Sequence, residues 1–274
     1  MLTKAPIWKL LAMFSAAIML AAAPVFADET EITVGVYHFP PIASVDDNGE
    51  PTGLLGDLLQ ELEQANPAVS FRVFHTSPKR RYLDFEAGLY DVIFFESPGW
   101  GWTKRNVDIS RPILADEELY VALKKPGRDD SFFDDLEQRS IVAISGYHYG
   151  FTGYETDNSV LEQKFNIEFS DSHSRNIKLI KADRPSVAEV AIVSHSYLQR
   201  HLARHPEDWD KLLVSREPDQ RYQLSIIARK GGAASADEML RLLAPLVDNG
   251  RYRQIVENWG LQLPAGFLTG FEAP

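Results

Sequence analysis

The chain contains no cysteine among its 274 residues. It can therefore form no disulfide, and no lipid can be attached through a cysteine at a new N-terminus. Long apolar runs are also missing after residue 27, whereas a bilayer crossing takes about 20 consecutive apolar residues. We expect a soluble product whose stability comes from its hydrophobic core alone.

Positive charge is scarce as well, since 28 Lys and Arg stand against 39 Asp and Glu and the formal net charge is −11. This balance argues against nucleic acid or an anionic membrane surface as a partner. The motifs G-x-S-x-G and H-E-x-x-H and any His/Asp metal cluster are missing from the sequence. We therefore assign no catalytic residue and expect no metal and no cofactor.

The first 27 residues have the pattern of a secretory signal peptide. Lys4 and Lys9 precede an apolar run over residues 10–23, and Val25 and Ala27 precede a cleavage site. Cleavage after Ala27 removes the two lysines, which takes the formal charge to −13, and it predicts a periplasmic protein. The alternative is an N-terminal membrane anchor, for which the apolar run is short.

Strand and helix patterns then alternate along the chain. ITVGVYHFPPI predicts a strand that ends at Pro40-Pro41, and LLGDLLQELEQANP places its leucines on one helical face. VSFRVFH predicts the next strand, PKRRYLDFEAGLY a helix capped by Gly88, and DVIFFES a third strand. This order is typical of a parallel sheet with covered faces.

A second such series follows the strand and turn of ELYVALKKPG. It comprises the strand SIVAISG, a helix around residues 154–165, the strand IEFSDS, a helix near Arg184, and EVAIVSHSYLQRHLARHP. After the strand YQLSIIARK, a helix is predicted to begin near Asp237 and Glu238 and to end at Asn249-Gly250, with a short helix beyond it. The fold class is therefore α/β, with two lobes and no flexible linker.

In order and spacing these segments resemble the polar-amino-acid type of periplasmic solute-binding protein, family 3 of the bacterial extracellular solute-binding proteins. GVYHFPPI, FEAGLYDVIF, TKRNVDISRPI, IVAISGYHYG, EVAIVSHSYL and NGRYRQIVENWG carry the resemblance, which covers nearly all of residues 28–274. It implies two mixed α/β lobes joined by a two-strand hinge, with ligand trapped in the cleft between them. Lobe one would comprise residues 28–115 and 225–274, and lobe two residues 116–224.

The resemblance also implies two ligand-binding residues in lobe one. Arg105, in the segment TKR, matches an arginine that grips a ligand carboxylate, which a guanidinium does through two parallel hydrogen bonds. Phe39 aligns with an aromatic residue that stacks on the ligand, and Pro40-Pro41 fix the direction of its loop. The alternatives are a surface arginine and a core aromatic ring.

The loop ESPGWGW follows the strand DVIFF, and ligands bind beyond the carboxyl ends of strands in parallel sheets. A tryptophan in such a glycine-rich loop should pack on the other lobe or face a ligand, so Trp100 and Trp102 are candidate ligand contacts. The alternative is a purely structural role, in which the two tryptophan rings pack between loops. Glu96 could pair with a ligand ammonium, or it could form an internal salt bridge with Arg105, Arg80 or Arg81.

In lobe two, the turn SGYHYG joins a strand to a helix, and its backbone N–H groups at Gly146 and Tyr147 would attract an anion. His148 is interpreted as a loop residue, since no second His or Cys lies at metal spacing. Many relatives that bind α-amino acids carry an Asp for the ammonium where this chain has Ser194. A standard α-amino acid is therefore disfavoured unless Glu96 supplies the charge from the other lobe.

Two classes of function remain open. The first is a monomeric receptor for a small polar solute, an amino acid or a related carboxylate-bearing compound. It would deliver this ligand to an inner-membrane ABC permease or report it to a membrane signalling protein. The second is a periplasmic dehydratase-like enzyme on the same fold, with a cleft Glu or His as general base. We expect the receptor, because the catalytic motifs are missing.

Overall fold

The computed structural model describes residues 30–267. The predicted signal peptide and its cleavage site after Ala27 lie outside the described residues. Within residues 30–267, no helix has both the length and the apolar character needed to cross a membrane.

The first half of the described chain alternates strands with short helices, as the sequence patterns predict. Its elements are β1 (Thr30–Val36), β2 (Ser44–Val45), β3 (Pro51–Thr52), α1 (Leu54–Ala65), β4 (Val69–His75), α2 (Arg81–Glu86), β5 (Val92–Glu96), β6 (Val107–Ile109) and β7 (Leu114–Leu123). The helix α1 buries the five leucines that lie on one of its faces, and Gly88 ends the turn after α2 with a φ of 73°.

The second half repeats this alternation and then closes with two helices. Its elements are β8 (Ser140–Ile144), α3 (Asn158–Lys164), β9 (Asn166–Ser170), α4 (His173–Lys181), β10 (Val190–Ser194), α5 (His195–Arg204), β11 (Leu212–Val214), β12 (Gln220–Arg229), α6 (Ala236–Asp248) and α7 (Arg251–Asn258). The α6 helix begins with a capping box between Ser235 and Glu238. It ends at Asp248, Asn249 is its C-cap and Gly250 follows with a φ of 78°, so both predicted ends are confirmed.

The strands form one sheet in the order β4-β1-β5-β12-β7-β10-β8-β9, with β6 paired to β12 and β11 to β7. Strand β1 lies parallel to β4 and β5 in the first half of this sheet, and β8 lies parallel to β9 and β10 in the second. The antiparallel strands β7 and β12 connect the halves, because each also pairs into one of them.

We call the half with β4-β1-β5 lobe one and the half with β10-β8-β9 lobe two. This arrangement confirms the α/β fold class with two lobes. The predicted bounds at residues 115 and 225 fall within β7 and β12, and the assignment of each residue to a lobe stays a prediction. The largest apolar cluster contains residues of both halves, including Phe39 and Tyr147, so the two lobes pack against each other.

Two boundary predictions are wrong. The first strand ends at Val36, before Pro40-Pro41, because Phe39 and Ala43 pair with each other in a tight turn and the prolines have no N–H to continue a ladder. The helix expected near Arg184 is α4, which ends earlier, at Lys181. Its start is fixed by Ser172, whose side chain accepts a hydrogen bond from the backbone N–H of Arg175.

Candidate functional site

The loops at the carboxyl ends of the parallel strands meet where the lobes touch. The Tyr147 hydroxyl, in the turn after β8, donates to the backbone carbonyl of His38, after β1, at 2.7 Å. The Trp100 ring, after β5, stacks on the His148 ring with centroids 6.0 Å apart and planes at 16°. The segments that the sequence assigns to a common cleft are therefore in contact.

Buried rings from both sides fill this junction, and we call five of them the aromatic cluster. Its members are Tyr37, Phe39, Trp100, Tyr147 and Tyr222. The Phe39 ring lies 5.9 Å from Tyr37, 6.0 Å from Trp100 and 5.6 Å from Tyr147, measured between centroids. Trp100 lies 5.1 Å from Tyr222 of β12. Phe39 and Trp100, two candidates from the sequence, are thus neighbours, and both contact residues outside lobe one.

Trp102 has a different environment. It is fully buried, and its ring packs on Tyr82 at 4.7 Å and on Phe85 at 5.2 Å between centroids. Its indole N–H donates to Glu96. The expectation that a tryptophan of this loop cannot be buried by its own lobe is therefore wrong for Trp102. The helix α2 supplies rings directly under the loop, which the local sequence of the loop does not reveal.

Glu96 is paired inside the protein, which is the second of the two alternatives that the sequence leaves open. The Arg81 Nε lies 3.2 Å from both carboxylate oxygens of Glu96, and the side chains are 1% and 0% exposed. Arg81 also donates to the Tyr82 hydroxyl at 2.7 Å, and its guanidinium lies 5.0 Å from the centroid of the Tyr37 ring. The pair therefore lies beside the aromatic cluster.

An irregularity in β5 sets the position of Glu96. The partners of Ile93 and Glu96 on β12 are Ile227 and Ser225, so β5 has one extra residue in this interval. Phe95 takes up the difference with a φ of 62°, a conformation that is unfavourable for a bulky residue. Such a bulge redirects the side chains that follow it, and here the side chain that follows is Glu96.

Arg105, the predicted anion anchor, is held by partners in lobe one. Its Nε donates to Glu86 at 2.9 Å, and Nη1 donates to the Gly101 carbonyl at 2.7 Å. Its guanidinium also lies 4.1 Å from the centroid of the Tyr82 ring. The Glu86 side chain is 53% exposed, so an incoming carboxylate could reach Arg105 by displacing Glu86. The role of Arg105 stays a prediction.

The turn after β8 approaches lobe one closely. Gly146 has a φ of 81°, and a Cβ at this position would lie only 2.7 Å from Lys79 Cγ and 3.1 Å from the Lys79 backbone nitrogen. The Gly146 carbonyl lies 3.5 Å from an Arg81 nitrogen. A glycine is therefore required for the observed contact between the lobes.

The prediction that the turn SGYHYG leads directly into a helix is wrong. The next helix, α3, begins only at Asn158, and its first backbone N–H groups donate to Asp157. The N–H groups of Gly146 and Tyr147 therefore do not lie at a helix N-terminus. Anion binding by this turn stays a prediction.

His148 lies in the same turn and carries no proton on Nδ1, because this atom is 3.4 Å from Arg81 Nη2, which can only donate. Burial, together with the charge of Arg81, lowers the pKa of His148 to about 3. No group of three His, Cys, Asp or Glu side chains suited to a metal occurs among the described residues.

Ser194 ends β10, and its buried hydroxyl has no hydrogen-bond partner among residues 30–267. Directly opposite it on β7 lies Glu118, which is 2% exposed. One Glu118 oxygen is 3.4 Å from the Tyr222 hydroxyl, and the other has no hydrogen-bond partner in the part of the chain that the structure describes. A buried carboxylate therefore lies one strand spacing from the position at which the sequence finds an acid missing.

Sequence reasoning missed Glu118 and Tyr222 as residues of this junction, and it named Arg81 only as one of three possible partners of Glu96. Arg81 belongs to the run KRR and Glu118 to the run DEE, and a run of like charges does not reveal which member points inward. The inward positions follow from the strand register, since Glu118 is paired with both Ser194 and Gln220. A period-two reading of β7 could have found Asp116, Glu118 and Tyr120 on one face.

Several solved structures share this fold. A histidine kinase sensor domain with similarity to periplasmic binding proteins superposes with a TM-score of 0.67 at 16% identity, over 86% of this chain and 99% of that one. An ABC uptake transporter substrate-binding protein from Streptococcus pneumoniae with bound histidine gives 0.66 at 16% identity, over 84% and 92%. A mutant of ArgBP from T. maritima gives 0.62 at 19% identity, over 84% and 95%.

At these identities the likeness shows the two-lobed fold. None of the curated proteins compared with this chain matches it in sequence. The profile of one protein family matches residues 32–262, which covers both lobes and the two strands between them. The resemblance seen in the sequence is confirmed: the chain belongs to the bacterial extracellular solute-binding proteins, family 3.

Proposed function

We propose that this protein is a periplasmic receptor that closes its lobes on a small polar solute and delivers it to an ABC importer of the inner membrane. The observation that carries the proposal is the junction itself. The aromatic cluster joins loops from both lobes, and one oxygen each of Glu118 and Ser194 is buried beside it without a hydrogen-bond partner among the described residues. Buried polar groups without partners are rare in folded proteins and often mark a missing ligand or water.

The contacts between the lobes suit an opening and closing motion. The hydrogen bond from Tyr147 to His38, at 2.7 Å, joins a loop of lobe two to a loop of lobe one, and Trp100 Nε1 donates to Gln220 of the connecting strand β12 at 3.4 Å. A solute that contacts both lobes binds the closed form more tightly and so shifts the population toward it. Among the predicted ligand residues, Phe39, Trp100, Gly146 and Tyr147 contact residues of the other lobe. Arg105 remains the proposed anchor for a ligand carboxylate.

Amino acids and related compounds are the solutes that we propose first. The S. pneumoniae neighbour has bound histidine, and a putative L-cystine ABC transporter structure from Listeria monocytogenes shares the fold with a TM-score of 0.63. Family members are binding proteins, so we propose binding without catalysis. A ligand recovered chemically unchanged after prolonged incubation with the protein would support this, and a converted ligand would favour the dehydratase-like alternative.

A thermal-shift screen of residues 28–274 against polar metabolites tests the proposal. A solute that binds only the native state raises Tm by mass action, and small-angle scattering should then report a smaller radius of gyration as the lobes close. A complete screen of amino acids, amines and carboxylates without any rise in Tm would contradict the proposal. Mass spectrometry of periplasmic material tests export, since an N-terminus at Asp28 is expected.

A signalling role is the second candidate, because the sensor domain of a histidine kinase has this fold. The two roles differ in what a gene deletion abolishes. Loss of solute uptake supports delivery to an importer, whereas intact uptake with loss of the transcriptional response to the solute supports a signalling partner.

A further inference from the structure

Glu118 is a buried acid for which the described chain provides no counter-charge. It lies on β7, one of the two strands between the lobes, and it is 2% exposed. Within residues 30–267 it takes part in no salt bridge, and its Oε2 has no hydrogen-bond partner. Burying an unpaired carboxylate costs several kcal/mol, so native proteins pair such a group or leave it protonated.

The neighbours of Glu118 place it against the aromatic cluster. Its strand partners are Ser194 on β10 and Gln220 on β12, and residues directly opposite each other in an antiparallel pair share one face of the sheet. The Gln220 amide bonds to Trp100 Nε1 and to the His148 carbonyl. Glu118 therefore lies on the same face as groups that touch both lobes.

The surrounding charges increase the need for a cation. Burial, and then the negative charges of Asp116 and Asp219, raise the pKa of Glu118 well above its ordinary value. The titratable groups that face this carboxyl from the packed elements are Asp116, Tyr147, Tyr149, Asp219 and Tyr222. All of them are acids or phenols. The nearest cation of the aromatic cluster is Arg81, which acts on Tyr147 but is paired with Glu96.

We propose that Glu118 binds a primary ammonium group of the ligand, in the role that an acid at Ser194 would otherwise fill. An R–NH₃⁺ group has three donors, and the oxygens without partners on Glu118 and Ser194 are acceptors side by side on adjacent strands. The rings of Tyr147, Trp100 and Tyr222 provide faces that attract a cation. The Arg81–Glu96 pair is internally neutralised, so Glu118 is the buried acid of this junction that has no cationic partner within residues 30–267. This inference rests on the proposed function and specifies its ligand class.

Pairs of probes that differ only in an amine or a hydroxyl group measure how much the ammonium group contributes to binding. We would compare n-butylamine with n-butanol, γ-aminobutyrate with γ-hydroxybutyrate, and L-alanine with L-lactate, following Tm and tryptophan fluorescence. At least one amine should bind more tightly than its hydroxyl counterpart. A hydrogen bond to a charged group contributes about 1.5–3 kcal/mol. Glu118→Gln should therefore lower the affinity for that amine by roughly tenfold or more. The affinity for its hydroxyl counterpart, which is lower in the wild type, should not change.

Two further variants control for structural effects. Glu117 is the next residue on β7, pairs with Arg221 at 3.2 Å and has a side chain 28% exposed, so Glu117→Gln should leave amine affinity unchanged. The double variant Glu118→Gln with Ser194→Asp returns a carboxylate to the adjacent strand and should recover amine binding. If Glu118→Gln fails to fold, Ser194→Asp alone should still strengthen amine binding.

The pH dependence gives an independent readout. An ammonium stabilises the ionised form of Glu118 and lowers its pKa in the complex, so amine binding releases a proton and affinity rises with pH until free Glu118 is ionised. The affinity of a hydroxyl probe should lack this rise. Equal binding of amines and hydroxyl compounds, or unchanged amine affinity in Glu118→Gln, overturns the inference but not the receptor function. Failure of every probe, charged or neutral, contradicts both.

Discussion

Arg81 and Glu96 form an ion pair in the interior of lobe one, with Arg81 Nε 3.2 Å from each Glu96 oxygen and neither side chain more than 1% exposed. The pair connects the first residue of α2 with the last residue of β5. Both residues border the aromatic cluster through Tyr37, whose ring contacts the guanidinium. The wall of the cleft in lobe one is thus fixed by charges that neutralise each other.

We expect Arg81→Met to lower the free energy of unfolding by about 3–5 kcal/mol, because it leaves Glu96 as an unpaired buried charge. The control is Arg72→Met, which breaks a pair with Glu31 at 2.9 Å whose side chains are 57% and 58% exposed. Solvent screens that pair, so a loss below about 1 kcal/mol is expected. Urea denaturation measures both. Equal losses in the free energy of unfolding of the two variants would show that the buried pair of Arg81 stabilises the protein no more than an exposed pair does.

The two tryptophans of the loop should respond differently to truncation. Trp102→Ala should destabilise the protein by about 3–5 kcal/mol, because the ring fills the core of lobe one against Tyr82 and Phe85. Trp100→Ala should weaken ligand binding more than it weakens the fold, because Trp100 contacts His148 and Tyr222 across the junction. Urea denaturation and calorimetry with a ligand from the screen measure the two effects. If both variants lose stability and ligand affinity to the same extent, the two tryptophans do not have different roles.

Arg105→Lys tests the proposed anchor for a carboxylate. The change keeps the charge but loses the two parallel donors, so affinity for a carboxylate-bearing ligand should fall by about 1.5–3 kcal/mol. Glu86→Gln is the matched control. It removes the carboxylate that lies 2.9 Å from Arg105, and it should not lower the affinity for the ligand. Wild-type affinity in Arg105→Lys, measured by calorimetry, would limit Arg105 to its contacts with Glu86 and Gly101.

Much of the fold could be predicted from local patterns, since helix faces and strand runs depend on neighbouring residues. The leucine face of α1 and the two ends of α6 are examples, and both are confirmed. The prediction for the first strand is too long. Prolines show where a strand cannot continue, but they do not show that it ends earlier, and here the pairing of Phe39 with Ala43 ends it before the prolines.

The site was less predictable, because its geometry depends on register and on contacts between distant elements. The burial of Trp102 requires knowing that α2 lies under its loop. The importance of Glu118 follows from its pairing with Ser194, which is 76 residues away along the chain but directly opposite in the sheet. The extra residue in β5 at Phe95 has no signature in the letters VIFFE.

Stability should fall in acid partly through His173. Burial lowers the pKa of this imidazole to about 3, with a further contribution from His38, whereas an unfolded histidine titrates near pH 6.5. Between these values the unfolded chain binds a proton that the folded protein does not. The neutral imidazole therefore contributes its full stability above about pH 6.5. As the pH falls from this value toward 3, the free energy of unfolding decreases by about 1.4 kcal/mol per pH unit.

The variant His173→Phe isolates this effect, because neither ring nitrogen of His173 has a hydrogen-bond partner within residues 30–267 that the change would remove. Its stability relative to wild type should rise by about 2 kcal/mol between pH 8 and pH 5. The comparison is needed because other groups titrate in the opposite sense. Burial raises the pKa of Asp116 to about 6, which costs stability as the pH rises. Parallel pH profiles for the two proteins would show that His173 is not kept neutral.

Removing the hydroxyl of Tyr147 should favour the open arrangement of the lobes. Tyr147→Phe keeps the ring in the aromatic cluster but removes the hydrogen bond to the His38 carbonyl at 2.7 Å, which joins lobe two to lobe one. The closed form should lose about 0.5–1.5 kcal/mol. Small-angle scattering should then show a larger radius of gyration, and a solute that closes the wild type should be needed at higher concentration.

The matched control for this change is Tyr252→Phe. The Tyr252 hydroxyl donates to the Ile113 carbonyl at 2.8 Å, so the bond has the same chemistry, but it connects α7 to the chain just before β7 and does not join the facing loops. This variant should lose a similar free energy of unfolding without a change in radius. An unchanged radius in Tyr147→Phe, or an equal increase in both variants, would mean that the bond from Tyr147 to His38 does not hold the lobes together.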